Sequence, residues 1–281
     1  MSDFYKLGVV GQNISYSQSK NIFETIFGLT GVGGSFDILS TEPGDLSARI
    51  QDCVDESYTG LSITVPFKSE VVPLMTQTDP LGSRLNVVNC ISIENGQLRG
   101  HNTDVIGFAI PLEMRQAGSD RRHAVIFGYG GSASVVVYSL ASDFGMKQFT
   151  IVGRSESKLT AFRDRMTAVL PNIDIHAESS EHFTAGFDDR YAVAVNCTPL
   201  GGWNLPGSSP LPKRFDWSAV DIYYDLNYNR DNHLVTAARN AGVTAIDGST
   251  MLVGQALESF HIWSGMTVDF NPVYRAVFGD R

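Results

Sequence analysis

The 281-residue chain carries only Cys53, Cys90 and Cys197. Three widely spaced cysteines make neither a disulfide framework nor a zinc cluster, and they fit a reducing cytoplasm. No uninterrupted apolar run approaches the ~18 residues that a membrane helix needs. The start, MSDFYKLGVVG, has no basic stretch followed by an apolar one, so no signal peptide is expected. Basic residues are in deficit: 21 Lys and Arg stand against 30 Asp and Glu, a formal net charge of −9. That disfavours a general nucleic-acid binder, and a site for anionic ligands must gather its own local cations. No serine lies in a G-x-S-x-G elbow, no Walker lysine is present and no H-E-x-x-H spacing occurs. A hydrolase elbow, a P-loop and a zincin site are therefore excluded, and no metal ligands are assigned. Repeats and low-complexity tracts are absent too.

The length supports a large core and favours two domains over one. Apolar runs at Leu7–Val10, Phe36–Leu39, Leu61–Val65 and Val87–Ile93 read as strands. Helices are expected near Asn21–Leu29 and from Pro43, and the turn Glu94-Asn95-Gly96 closes the fourth strand. A second series follows: strand His123–Phe127, helix Ser134–Phe144, strand Gln148–Val152 and a helix around Lys158–Val169. Strands at Ala192–Val195 and Asp221–Tyr224 complete it, and Met251–Trp263 is helical by its apolar spacing. The alternation predicts an α/β protein whose second half is a Rossmann-type dinucleotide-binding domain.

The sharpest local signal is GYGGSAS. Gly128, Gly130 and Ala133 fit G-x-G-x-x-G/A, directly after a strand and directly before a helix. Such glycines let backbone N–H groups approach a pyrophosphate at a helix N-terminus. The next strand ends in VGRSESK, where an NAD-preferring domain usually carries an acid for the ribose 2′-OH. Here Arg154 can pair with a 2′-phosphate instead, with Lys158 further on, which favours NADP over NAD. Glu156 reads as an exposed first-turn helix residue.

Two further stretches bear chemistry. GLSITVPFK, Gly60–Lys68, ends a buried strand and puts Lys68 just beyond it, near the crevice where α/β sheets bind ligands. GHNTDVIG, Gly100–Gly107, sets Asn102, Thr103 and Asp104 side by side where the two halves meet. His101 reads as a loop residue. Asn, Thr and Asp all favour helix N-caps, so the stretch also suits the start of a helix from Val105 toward Gln116. With Lys68 and the cofactor turn on either side, Asp104 is read as catalytic. A lysine ammonium can supply the proton that ketone reduction demands and stabilise the alkoxide, while a nicotinamide carries the hydride.

In that order, these motifs resemble the shikimate dehydrogenase family along nearly the whole chain. GLSITVPFK resembles its G-x-N-V-T-x-P-x-K, LNVVNC its G-A-V-N-T, and GHNTDVIG its G-x-N-T-D-x-x-G. GYGGSAS is similar to G-A-G-G-A-x-R, VGRSESK to the N-R-T segment, and NCTPLGG to N-A-T-P/S-x-G-M. GSTMLVGQALESFHIWSG follows G-x-x-M-L-x-x-Q-A-x-x-x-F-x-x-W-T-G. The resemblance implies that Lys68 and Asp104 are catalytic, and that Ser17 and Ser19 hold the substrate carboxylate. Ser62, Thr64, Asn89, Tyr228 and Gln255 would complete the substrate pocket. It assigns Gly128, Tyr129, Gly130, Gly131, Ser132, Ala133, Gly153, Arg154, Ser155, Lys158, Thr198, Leu226 and Gly248 to the cofactor. It also implies a substrate domain of residues 1–104, completed by helices within 248–281, around a Rossmann NADP domain of residues 105–247.

The departures fall mostly on the substrate side. Ser62 stands where the family usually has Asn, Tyr16 and Lys20 replace His and Pro around the serines, and Asn86 replaces Gly. Arg230 and His233 follow Tyr228 where Pro and Thr are common, and Gly153 replaces Asn beside the retained Arg154. The expected activity is reversible, NADP-dependent reduction of 3-dehydroshikimate to shikimate in aromatic amino-acid biosynthesis. The alternative is a paralogue acting on quinate or another cyclic hydroxy acid, with NADP or NAD. A non-catalytic dinucleotide sensor is a third reading, against which the Lys68–Asp104 pair argues. The chain is expected to act on a small molecule as a cytoplasmic monomer or homodimer, apart from nucleic acid and membrane.

Overall fold

The computed structural model describes residues 4–115, 123–184 and 190–279. The chain divides into two units, Met1–Gly107 with Leu252–Arg281, and Phe108–Met251.

The first unit opens with β1 (Phe4–Gly11), α1 (Ser19–Thr30), β2 (Gly33–Ser40), α2 (Leu46–Asp55) and β3 (Gly60–Ile63). It continues with β4 (Gln77–Thr78), α3 (Pro80–Leu85), β5 (Cys90–Glu94) and β6 (Gln97–His101), and α4 (Asp104–Met114) begins in it. The sheet order is β2-β1-β3-β5-β6-β4. β1 pairs in parallel with β2 and β3, whereas β3–β5 and β5–β6 are antiparallel. The simple strand–helix alternation expected for this half therefore gives way to a hairpin, and His101 ends a strand instead of lying in a loop. α2 begins at Leu46 and not at Pro43, because Gly44 (φ 101°) breaks the chain direction first. β3 stops at Ile63, since Val65 and Pro66 enter a turn. Alternate residues of β3 face a core with Val10, Ile50, Phe67, Val88 and Ile91.

The second unit holds β7 (His123–Phe127), α5 (Gly131–Ser142), β8 (Gln148–Gly153), α6 (Glu156–Val169) and β9 (Asp174–Ser179). β10 (Tyr191–Asn196), β11 (Val220–Asp225), α7 (His233–Asn240) and β12 (Thr244–Ile246) follow, and α8 (Ser249–Ser264) begins there. All its pairings are parallel, in the order β12-β11-β10-β7-β8-β9. That is the doubly wound Rossmann order, with its switch point between β7 and β10. β7 and β10 are buried on both faces, which explains their continuous apolar runs.

The rest of α8 and then α9 (Phe270–Phe278) belong to the first unit, where α9 packs on α1. Trp263 packs against Phe23 with the rings tilted by 37°, and its Nε1 donates to Ile91 O at 2.9 Å. A Cβ on Gly60 would overlap that indole, so glycine there is a seat for Trp263. The expected end of the α4 run at Gln116 lies outside the described residues. Among the described residues, no helix is long and apolar enough to cross a membrane.

Candidate active site

Lys68 occupies the turn after β3. Buried Phe67 anchors that turn in the core, and Val88 N donates to Lys68 O at 2.8 Å. The ammonium is thereby directed at Asp104, the first residue of α4. Lys68 Nζ donates to Asp104 Oδ2 at 2.7 Å, with the carboxylate side chain only 4% exposed. A carboxylate in the first turn of a helix also gains from the helix dipole.

The other carboxylate oxygen is held as well. Asn89 Nδ2 donates to Asp104 Oδ1 at 3.1 Å and to Thr103 Oγ1 at 2.9 Å, and stands 3.4 Å from Gln255 Oε1. Asn89 Oδ1 accepts from Thr103 N at 2.7 Å. Thr103 Oγ1 and Ser259 Oγ are 3.1 Å apart, and Ser259 Oγ donates to Gln255 O at 2.7 Å. Because the single Ser259 hydroxyl proton goes to Gln255 O, Ser259 accepts from Thr103, and the chain of bonds runs in one direction. Asn102 Nδ2 donates to Val87 O at 3.0 Å. None of the Asn102, Thr103 and Asp104 side chains caps the free N–H groups of α4; Thr103 and Asp104 are engaged elsewhere, and Asn102 Oδ1 is buried with no hydrogen-bond partner among the described residues.

Ser17 Oγ donates to Ser19 Oγ at 3.1 Å, at the start of α1. This loop and the Lys68 turn leave the same end of the sheet: Gln12 N donates to Val65 O, and Thr64 lies over Gly11. Ser62, on β3, is 6% exposed and its hydroxyl has no hydrogen-bond partner. A buried hydroxyl without a partner is costly, and a polar ligand would satisfy it. Gln255 is buried on α8, with Ser259 one turn further along the same face. Tyr228 belongs to the second unit.

In that unit the glycine-rich turn follows β7 at the switch point. Gly128 has φ 112°, a conformation side chains resist. Gly130 precedes α5 with no side-chain cap, and a Cβ there would meet nothing within 4 Å. The first-turn N–H groups, among them those of Gly131, Ser132 and Ala133, thus open onto free space, which suits a phosphate. At the end of β8, Arg154 and Lys158 make no ion pair with any described residue, and Ser155 Oγ accepts from Lys158 N at 3.5 Å. Exposed Glu156 opens α6. These residues fit a phosphorylated dinucleotide.

Thr198 donates through N and Oγ1 to Asn196 Oδ1, at 2.9 and 2.7 Å, so its hydroxyl shapes the loop after β10. Gly248 allows the chain to pass Leu226, whose carbonyl a Cβ would overlap. Beneath both loops lies Asp225, fully buried. Its oxygens accept from Asn227 N (2.9 Å), Asn227 Nδ2 (2.8 Å), Asn196 Nδ2 (3.0 Å) and Tyr223 Oη (2.8 Å). Burial raises its pKa above the usual carboxylate range, and these donors pull it back. Sequence reasoning named Thr103 only as part of a polar, cap-like stretch, and it passed over Ser259 and Asp225. Only Ser259 left a signal, its four-residue spacing from Gln255. Among the described residues, no group of three or more His, Cys, Asp or Glu could hold a metal ion.

Residues 9–91 match the family model for the shikimate dehydrogenase substrate binding domain, and residues 248–278 match that for the shikimate 5′-dehydrogenase C-terminal domain. The shikimate dehydrogenase (NADP(+)) of Dehalococcoides mccartyi is 30% identical over 269 residues, spanning 94% of this chain and 91% of its own. The chain belongs to the shikimate dehydrogenase family. This is a family of oxidoreductases acting on CH–OH groups. The fold is shared with the Thermus thermophilus shikimate 5-dehydrogenase solved in complex with NADP(H) and shikimate. There the TM-score is 0.81 at 23% identity, over 97% of this chain and 98% of that one. It is shared equally with the quinate dehydrogenase of Corynebacterium glutamicum in complex with NAD, with a TM-score of 0.83 at 24% identity, over 98% and 99%.

Proposed function

We propose that the chain reduces 3-dehydroshikimate reversibly to shikimate with NADPH, in aromatic amino-acid biosynthesis. The observation that carries this reading is the Lys68–Asp104 pair at 2.7 Å. Lys68 is the proton donor to the developing alkoxide and its acceptor in the reverse direction. Asp104 holds the ammonium through Oδ2 and accepts a hydrogen bond from a substrate hydroxyl. Asn89 keeps that carboxylate from rotating by bonding Oδ1. Ser17 and Ser19 donate to the substrate carboxylate, while Ser62, Thr64, Tyr228 and Gln255 line the ring. NADPH, when bound, supplies the hydride. Gly128–Ala133 would hold its pyrophosphate, and Arg154, Ser155 and Lys158 would hold its 2′-phosphate. Gly153, Thr198, Leu226 and Gly248 shape the remainder of that site. Residues 1–104 with 248–281 then serve as the substrate domain and 105–247 as the dinucleotide domain. Three free cysteines support a cytoplasmic enzyme, working as a monomer or homodimer.

Ser62 favours a second reading. A short side chain with an unpartnered buried hydroxyl suits a different ring substitution, as in quinate, with either NADP or NAD as the cofactor. A grid of shikimate and quinate against NADP and NAD separates the two. A clear preference for shikimate with NADP supports the first reading, and a preference for quinate with either cofactor overturns it. Lys68→Ala should lower turnover by about 10²–10⁴-fold, the usual worth of acid–base help. Turnover near the wild-type rate would remove Lys68 from the chemistry.

A further inference from the structure

The glycine-rich turn carries one side chain that its fingerprint does not require. Tyr129 stands between Gly128 and Gly130, and its ring lies over the end of β8. A Cβ added at Gly153 would overlap Tyr129 Cε1 and stand 2.5 Å from Cδ1, with Leu159 Cδ2 3.3 Å away. Gly153 has no positive φ, so backbone freedom is not the reason for glycine there. The reason is space, because the phenol ring occupies the volume that a side chain at 153 would need. The two positions are interlocked, and Gly153 is also where this chain departs from the Asn usual in the family.

The phenol is half-exposed, and its hydroxyl has no hydrogen-bond partner among the described residues. Arg154 follows Gly153 directly, and Lys158 lies in the first turn of α6. Neither cation has an ion pair among the described residues. Three unengaged donors thus belong to the segments at the tip of the glycine turn and the end of β8. In a doubly wound fold, the adenosine ribose lies over this strand end.

We propose that Tyr129 is a specificity-determining residue for the phosphorylated ribose, its ring seated on Gly153 and its hydroxyl donating to the 2′-phosphate that Arg154 and Lys158 neutralise. This rests on the NADP reading above. NAD has no such phosphate and gains nothing from the phenol. The interlock has a further consequence. Any side chain at 153 displaces the ring and removes the donor, without touching Arg154.

Calorimetric titration of the intact chain with NADP, NAD and adenosine 2′,5′-bisphosphate tests this without turnover. Tyr129→Phe should weaken NADP and the bisphosphate about tenfold, the scale of one hydrogen bond to a charged group, and leave NAD unchanged. Gly153→Asn should weaken NADP at least as much. Adding Tyr129→Phe to it should cost nothing more, because the donor is already displaced. If Gly153→Asn does not fold, Gly153→Ala carries the same comparison. An unchanged NADP-to-NAD ratio in Tyr129→Phe, or fully additive losses in the double variant, overturns the proposal. If Arg154→Ala abolishes the NADP preference while Tyr129→Phe does not, this inference falls and the NADP reading stands. If the wild-type chain binds neither dinucleotide, both fall.

Discussion

Asn89 and Lys68 grip opposite oxygens of one carboxylate: Asn89 Nδ2 is 3.1 Å from Asp104 Oδ1, and Lys68 Nζ is 2.7 Å from Asp104 Oδ2. The carboxylate is therefore fixed in rotation as well as in place. Asn89→Ala removes the grip on Oδ1 and leaves Thr103 N without its acceptor. Each stranded buried group costs about 1–3 kcal/mol. Denaturant unfolding should show a loss of that size, and turnover should fall more than the Michaelis constant rises. Wild-type turnover in a folded Asn89→Ala would mean that Asp104 needs no second anchor.

Asp225 plays the corresponding part beneath the loops after β10 and β11. Its four bonds come from donors alone, so Asp225→Asn turns an N–H group toward other donors. The expected cost is about 2–3 kcal/mol in unfolding free energy. Dinucleotide binding should weaken several-fold, measured by calorimetry, because the two loops lose their common anchor. An Asp225→Asn chain as stable as the wild type would count against that anchoring.

His101 predicts a pH dependence. Burial lowers its pKa below the ordinary 6.5, a shift that Arg99 reinforces and that Asp79 and Glu94 oppose. The folded chain thus favours the neutral ring, whose Nε2 lies 3.1 Å from Ser92 Oγ. In the unfolded chain the same ring takes up its proton at higher pH. The contribution of His101 to stability is complete above about pH 6.5 and is lost as pH falls from there through the folded value. His101→Gln should lose less stability than the wild type between about pH 7 and pH 5. Parallel Tm-against-pH curves for the two proteins would exclude His101 as the cause.

The second unit was legible because its signals are local. A buried parallel strand, a glycine turn and a helix follow one another directly from His123 to Ser142, and each announces the next. Much of the first sheet was not. β4 has two residues and no pattern to detect, and β6 is a short hairpin partner of β5 with Leu98 as its only large apolar residue. Its pairing depends on β5 and not on its own composition. The Lys68–Asp104 pair was legible as two motifs, yet what holds it was not. Thr103 looked like a cap residue, but its hydroxyl bridges Asn89 to Ser259, 156 positions away. Asp225 ends an apolar strand, and nothing nearby in the chain announces four donors converging on it. Long-range polar networks leave no periodicity, so they are read from coordinates alone.

The seat of Trp263 on Gly60 constrains how this protein is made. The indole donates to Ile91, a partner 172 positions earlier, so the sheet that is translated first lacks part of its cover until α8 has left the ribosome. Residues 108–251 have by then been synthesised in full and can fold as a unit. Of the two units, the one whose sheet is translated earlier is the one that finishes folding later. During that interval the uncovered seat at Gly60 is the surface a chaperone would meet.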